Sequence, residues 1–163
     1  MTLENEVGLK SFRNEWQKAG MSILYTQGFL FNTYENFFKK YGMTTQQYNA
    51  MRILRNQYPK PVSTSFLREK MLDKMSDASR LVSRLSAKGL VEVTQNASDK
   101  RLVNILVSEK GLQILEVIDG TLEDLDAKLH GITEEEAATL VELLAKLRGS
   151  LKEAAKNEPA NLN

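Results

Sequence analysis

A helix predicted over about residues 75–88 carries the side chains best suited to chemistry in this sequence, two arginines interleaved with serines. At 100° per residue, the apolar residues of the segment share one face and the polar residues share the other. Short serines allow a helix to approach another surface closely, and guanidinium groups can fork onto a guanine edge or a phosphate. The pattern indicates either a face that reads a nucleic-acid groove or an ordinary solvated face. This serine–arginine face comprises Ser76, Ser79, Arg80, Ser83, Arg84 and Ala87.

A second charged group, Asp99-Lys100-Arg101, lies at the tip of a predicted hairpin. Gly89 is expected to end the preceding helix, and the strands are predicted over residues 90–95 and 102–107 from their content of β-branched residues. We expect Asp99 to hold an arginine side chain in place while the loop reaches outward. The same three residues are also typical of a soluble turn.

Three helices are predicted before this segment. No proline interrupts residues 11–41, where apolar residues recur at spacings of three, four or seven and predict a long amphipathic helix. Its apolar stripe is wide enough to face both the chain's own core and another subunit. Thr44 and Gln47 are typical of a helix start and predict a second helix over residues 45–57. Ser63 predicts a short third helix that leads by a tight turn into the serine–arginine segment.

Two helices are predicted after the hairpin. Ser108 begins the first, in which apolar residues as far as Leu129 alternate spacings of three and four, as in a helix–helix seam. Gly131 is expected to end this helix, and Thr133 with Glu136 forms a capping box that begins the last one. The predicted fold is therefore mainly α with a small β-hairpin wing, a winged helix-turn-helix with helices at both ends.

Composition excludes several classes of function. The 163 residues are 42% hydrophobic, enough for one well-packed domain, and the absence of cysteine excludes disulfides, thiolate catalysis and thiol-based redox sensing. One histidine, His130, makes a dedicated metal site unexpected. The sequence shows no Gly-rich phosphate loop and no nucleophile paired with a histidine. We therefore expect neither an enzyme nor a cofactor.

Charge is distributed unevenly along the chain. Residues 1–67 carry eight Lys or Arg against four Asp or Glu, residues 68–108 carry eight against five, and residues 109–163 carry six against twelve. This asymmetry suits a protein that presents one face to a polyanion and another to a protein partner, although a solvated acidic helix pair is the simpler explanation. Charged residues near the N-terminus and the absence of a long apolar run predict a cytoplasmic protein.

In this order and spacing, the elements resemble the MarR family of bacterial transcription regulators. The resemblance covers nearly the whole chain, with its motifs concentrated between residues 43 and 111. It rests on Met43-Thr44-Thr45-Gln46-Gln47-Tyr48 with Leu54, on Met71-Leu72-Asp73-Lys74-Met75-Ser76 and Ser79-Arg80-Leu81-Val82-Ser83-Arg84-Leu85, and on Lys88-Gly89-Leu90-Val91, Asp99-Lys100-Arg101 and Ser108-Glu109-Lys110-Gly111.

The resemblance implies a homodimeric regulator, expected to be a repressor, that binds a palindromic operator and releases it when a small phenolic or lipophilic molecule binds. Each subunit would place its reading helix in the major groove and its wing in the flanking minor groove. Asp99 would orient the wing arginine. Asp77 stands where many members have Thr or Ser, and it would either contact a base or cap the helix. The residues expected to meet DNA are Ser76, Asp77, Ser79, Arg80, Ser83, Arg84, Lys100 and Arg101.

The resemblance also predicts how the chain is organised. Residues 1–163 would form a single MarR-like domain, with the DNA-binding lobe over residues 43–108 and dimerisation helices over residues 11–41 and 109–156. Aromatic residues of the first helix and its neighbour would line an effector pocket between that helix and the DNA-binding lobe, or would simply belong to the core. These residues are Trp16, Tyr25, Phe29, Tyr34 and Tyr48.

A winged helix that binds another protein and no operator is the alternative function. An acidic or apolar reading face would favour it, whereas Arg80 and Arg84 with their neighbouring serines favour DNA.

Overall fold

In the computed structural model, which describes residues 1–157, the chain divides into two units, Met1–Leu122 and one that begins at Glu123. A helix-turn-helix followed by a two-stranded hairpin forms the centre of the first unit. Its elements in chain order are α1 (Leu3–Glu6), α2 (Glu15–Lys39), α3 (Thr45–Gln57), α4 (Thr64–Lys70), α5 (Ala78–Ala87), β1 (Val91–Gln95), β2 (Val103–Val107) and α6 (Glu109–Asp119).

Side-chain caps begin helices α3, α4 and α6 where the sequence predicts them. Thr44 and Gln47 form a reciprocal capping box at α3. Ser63 accepts a hydrogen bond from the backbone of Phe66, and Ser108 accepts one from that of Gly111. Each cap satisfies a backbone N–H group that has no partner within its own helix.

The hairpin is antiparallel, and its register pairs Val91 with Val107 and Gln95 with Val103. Val62, just before α4, adds an isolated bridge to Ile105, with backbone hydrogen bonds of 2.9 and 2.8 Å in the two directions. The wing is thereby tied to the helix-turn-helix through its second strand.

The core of the first unit lies between α3, α4, α5, α6 and the hairpin. Gly111 of α6 sits against the strands so closely that a Cβ placed there would lie 2.3 Å from the carbonyl oxygen of Leu90. Only glycine allows this approach. The largest fully buried side chains include Met51, Leu54, Leu67, Leu85, Ile105, Leu115 and Ile118.

The second unit contains the end of α7 (Leu122–Asp126), a single 3₁₀ turn at Ala127–Leu129 and the long helix α8 (Glu134–Asn157). Thr133 and Glu136 exchange hydrogen bonds of 3.2 and 2.8 Å, which is the predicted capping box. Apolar residues of α8 are exposed, among them Leu140, Val141, Leu143, Leu147 and Leu151. None of the helices in residues 1–157 is long and apolar enough to cross a membrane.

The mainly α fold with a hairpin wing is confirmed, and three features differ from the prediction by more than small shifts at the ends of elements. A short helix, α1, precedes the long one, and α5 begins at Ala78 because Asp77 is its N-cap. The single helix predicted after Ser108 is broken: α6 ends at Asp119, with Gly120 as its C-cap. There the hydroxyl of Thr121 donates to the carbonyl of Ile118 at 2.8 Å and replaces a helical partner.

Candidate nucleic-acid interface

Helix α5 separates its residues into the two faces that the sequence predicts. Ala78, Leu81, Val82 and Leu85 are buried against the first unit. The opposite face is solvent-exposed along the length of the helix, and its exposed residues are Ser79, Arg80, Ser83, Arg84, Ser86 and Ala87. Because the apolar stripe anchors the helix, the arginines and serines are held outward without using their own hydrogen-bonding groups for packing.

Asp77 caps α5, since its side chain accepts a hydrogen bond of 3.1 Å from the backbone N–H of Arg80. The Arg80 guanidinium lies 3.9 Å from the other carboxylate oxygen, and its side chain is 72% exposed. A pair this long and this exposed restrains the arginine weakly. Arg80 therefore stays available to an outside partner while Asp77 fixes the start of the helix.

Ser76 differs from the other serines of the predicted face. Its Oγ is buried and has no hydrogen-bond partner among the described residues, whereas Ser79 and Ser83 are exposed. The difference arises because Ser76 precedes the N-cap and does not follow the helical periodicity. Helical spacing alone could not have shown this.

Asp73 organises the turn before α5, a role that the sequence analysis did not assign. Its carboxylate accepts hydrogen bonds of 2.9 Å from the backbone of Met75 and 2.9 Å from the side chain of Gln46 on α3. Its carbonyl accepts a third from the backbone of Ser76 at 3.3 Å. An aspartate bonding to the backbone two residues later is an Asx turn, a signal that the sequence does contain.

The wing presents one arginine in a fixed direction. The Asp99 carboxylate accepts hydrogen bonds from Nε and Nη2 of Arg101, at 3.0 and 2.9 Å, although the Arg101 side chain is 88% exposed. The hydrogen bond from the Arg101 side chain, and then that from its backbone, lowers the pKa of Asp99. The same contact raises the pKa of Arg101. Both shifts favour the ionised pair.

Amide side chains shape the loop around this pair. Asn96 accepts hydrogen bonds from the backbones of Ser98 and Asp99, at 2.9 and 3.0 Å, and its amide contacts Asn104 at 3.1 Å. The Gln95 side chain donates to the carbonyl of Lys100 at 2.8 Å. The Lys100 side chain is exposed beside Arg101, so the tip carries two outward cations.

A lysine clamp fixes the other end of α5. The Lys88 ammonium donates to the carbonyl of Gly42 at 2.5 Å and to the buried side chain of Gln47 at 3.1 Å. Lys110 donates to the carbonyl of Lys88 at 2.9 Å. These contacts join the C-terminus of α5 to the loop between α2 and α3 and to the start of α6. The clamp was not predicted.

The five predicted effector residues differ in exposure and contact different neighbours. Trp16 and Phe29 are 85% and 61% exposed. Tyr25 contacts Phe29 edge-on, with ring centroids 5.1 Å apart, and Tyr48 stacks on Phe38 at 4.0 Å. Burial, and then the charge of Asp119, raises the pKa of Tyr48.

Tyr34, one of these five residues, lines a cavity of the first unit. The cavity, of about 400 Å³, lies between α2, α3 and the turn before α5. Thr45 also lines it, and its Oγ1 is buried without a hydrogen-bond partner among the described residues. The cavity is lined by Gln27, Leu30, Phe31, Tyr34, Thr45, Gln46, Asn49, Leu72 and Asp73.

A metal centre is not indicated for the part of the chain that the structure describes, residues 1–157. Within that range no three His, Asp or Glu side chains are grouped so as to hold an ion.

Comparison with known proteins agrees with this geometry. The MarR family model matches residues 43–103, from just before α3 into β2. A MarR-like transcription regulator from Bacillus cereus is 22% identical, with a TM-score of 0.74 over 84% of this chain and 98% of its own. A mutant MarR from Escherichia coli, solved with operator DNA, is 23% identical, with a TM-score of 0.73 over 90% of this chain and 99% of its own. BpsR from Bordetella bronchiseptica is 17% identical, with a TM-score of 0.72 over 85% of this chain and 98% of its own.

At such identities the solved structures show a common fold. The family model adds the match over the helix-turn-helix and wing, the region that carries the exposed arginines of α5 and the Asp99–Arg101 pair. Residues 43–103 thus match the MarR family model, and the chain shares its fold with solved MarR-family transcription regulators.

Proposed function

We propose that the protein binds a specific DNA sequence as a transcriptional repressor, with α5 in the major groove and the wing in the adjacent minor groove. The observation that carries the proposal is the exposed serine–arginine face of α5 followed by a wing whose Arg101 is already oriented by Asp99. The E. coli relative was solved in complex with operator DNA, which supports this reading of the shared fold.

Each cation of the interface has a task suited to its geometry. Arg80 and Arg84 have planar donor groups that match the two acceptors of a guanine edge, and Ser79 and Ser83 let the helix approach the bases. Lys100 is suited to a phosphate. Arg101 is suited to a narrow minor groove, where A·T-rich DNA has its strongest negative potential. Ser76, whose hydroxyl is buried, contributes through its backbone or after a local rearrangement.

The operator would be palindromic because the protein would act as a homodimer. In the first unit, α2 exposes Trp16, Leu24 and Phe29, and in the second unit α8 exposes a series of leucines. Apolar residues exposed along two long helices are typical of surfaces covered by a partner subunit. A two-fold dimer would present two reading helices to half-sites about one helical turn apart. Sedimentation equilibrium tests this, with a dimer expected and a monomer at micromolar concentration against it.

Release by a small lipophilic or phenolic molecule would use the cavity lined by Tyr34 and Thr45. A ligand hydroxyl or carboxylate would satisfy the unpartnered Thr45 Oγ1, and the ligand would contact Gln46 and Asp73, which position the turn before α5. DNA binding by the BpsR relative is regulated by 6-hydroxynicotinic acid, which shows that a small aromatic acid can act on a protein of this fold. A thermal-shift screen of aromatic acids tests the idea, and a hit must also release bound DNA and lose its effect in Thr45→Val.

A regulator of this kind acts where the genome lies, so we propose a cytoplasmic location. No catalytic step and no cofactor is part of the proposal.

Mapping the DNA that the purified protein protects upstream of its own gene tests the proposed function. We expect a protected palindrome and weaker binding to random duplex. Binding should fall steeply with salt, because each phosphate contact releases counterions. Equal affinity for upstream and random duplex would contradict sequence-specific binding to an operator. Lack of binding to either duplex would favour the alternative, a winged helix that binds a protein.

A further inference from the structure

Met75 has an apolar, solvent-exposed side chain and lies just before the reading helix α5. It lies two residues before the N-cap Asp77, and 92% of its surface is exposed. Single exposed apolar residues are common, so exposure by itself assigns no role. The position does, because Met75 lies in the turn directly before α5, next to the N-terminal part with which the recognition helix of helix-turn-helix proteins contacts base edges.

The turn that carries Met75 is held in place before any DNA is bound. The Met75 backbone N–H donates to Asp73 at 2.9 Å, and Gln46 of α3 donates to the other Asp73 oxygen at 2.9 Å. Met71, at the start of the turn, and Ala78, just after it, are both 1% exposed. The turn is therefore anchored at both ends and in its middle, which reduces the ordering that a contact through Met75 would require.

The exposed face of α5 lacks a group that reads an A·T pair well. Arginine recognises guanine and serine discriminates poorly, whereas adenine is read by Asn or Gln and thymine by an apolar group against its methyl. The face has neither Asn nor Gln. Its exposed apolar residue, Ala87, lies at the C-terminal end and lines a separate hollow with Lys88 and Lys110. Met75 supplies the missing group at the other end.

We infer that Met75 packs against a thymine methyl group in each half-site, beside the base contacted by Arg80, and makes the operator selective for thymine at that position. Its unbranched, polarizable thioether suits such a contact because it adapts to an irregular surface. The inference rests on the proposed function and adds a specificity-determining residue to it.

The test compares the sites chosen from a random duplex library by the wild type, by Met75→Ala and by Met75→Leu. We expect the wild type and Met75→Leu to enrich a thymine at one position of each half-site, and Met75→Ala to lose that preference while it keeps the rest of the site. Circular dichroism and the unfolding midpoint establish that each variant is folded.

Replacing that thymine by deoxyuridine removes only the methyl group and tests the contact itself. On the deoxyuridine duplex, the affinity of the wild type should fall about fourfold per half-site, the effect of one buried methyl group. The affinity of Met75→Ala should not change. An equal loss in both proteins, or identical selected sites, overturns the role of Met75 and leaves the operator function standing. If the wild type enriches no sequence at all, both the operator function and this inference fall.

Discussion

The Asp99 carboxylate holds the Arg101 guanidinium through hydrogen bonds of 3.0 and 2.9 Å, and it accepts a further one of 3.0 Å from the Arg101 backbone. With 88% of the Arg101 side chain exposed, this pair sets the direction in which the wing presents its cation. A negative charge close to DNA is unfavourable by itself. The Asp99 carboxylate at the tip is consistent with a positioning role, in which the gain in binding from an oriented Arg101 is larger than the loss from repulsion between Asp99 and DNA.

Asp99→Ala therefore tests orientation against simple electrostatics. Charge alone predicts tighter DNA binding once the carboxylate is removed. We expect the affinity for the operator to fall about two- to tenfold, because Arg101 must then be ordered on binding. Glu92→Ala removes the same charge from an exposed position of the same hairpin and should leave affinity unchanged or slightly higher. Fluorescence anisotropy at fixed salt measures both. Tighter binding by Asp99→Ala would contradict the positioning role.

The pH dependence of the wing follows from the direction of the Asp99 shift. Because the pKa of Asp99 is lowered in the folded protein, the stabilisation is present above the ordinary carboxyl pKa and is lost as pH falls through the lowered one. The affinity ratio between the wild type and Asp99→Ala should therefore be constant from about pH 6 to 8. Anisotropy titrations across that range check it, and a ratio that changes with pH would show that another titrating group controls the wing.

Asp77 is predicted to act on DNA binding only through the helix that it caps. Asp77→Ala should lower the free energy of unfolding by about 1 kcal/mol, and Asp77→Ser should restore it because serine is an equally good cap. Urea denaturation measures the stability, and binding-site selection measures the base preference. If Asp77→Ser is as stable as the wild type and yet loses a preference for cytosine, Asp77 contacts a base.

Gly111→Ala tests the packing of α6 against the hairpin. The added Cβ would lie 2.3 Å from the carbonyl oxygen of Leu90 and 2.7 Å from the Met51 side chain, so the helix and the strand must separate. We expect the free energy of unfolding to fall by about 1–3 kcal/mol. Gly149→Ala in α8, where a Cβ meets nothing within 4 Å, should gain up to about 1 kcal/mol from helix propensity. Both are compared at one protein concentration, since the stability of a dimer depends on concentration.

Local sequence signals explain why most of the fold was predictable. The caps Thr44, Ser63 and Ser108 mark helix starts through bonds that span three residues, and Gly89 with its positive φ of 71° separates α5 from the wing. The break at Gly120 was missed because the apolar spacing of three and four continues across it, so periodicity carries no mark of the interruption.

The site was predictable where it depends on helical phase and not where it depends on tertiary contacts. The exposed face of α5 follows from periodicity, and the Asp99–Arg101 pair follows from a separation of two residues. The burial of Ser76 Oγ depends on how the turn packs, and the Lys88 clamp joins groups 46 and 41 residues apart. The proposed effector pocket depends on which aromatic rings of α2 face inward, which spacing alone does not determine.

Sequence selectivity is the most direct test of the central claim that α5 and the wing read DNA. At physiological salt, the equilibrium affinity for the selected operator is compared with that for a scrambled duplex of equal length and composition. We predict that the wild type prefers the operator by about a thousandfold or more. Arg80→Ala should lose about 1–3 kcal/mol on the operator and much less on the scrambled duplex. Equal affinity of the wild type for the two duplexes would contradict the account.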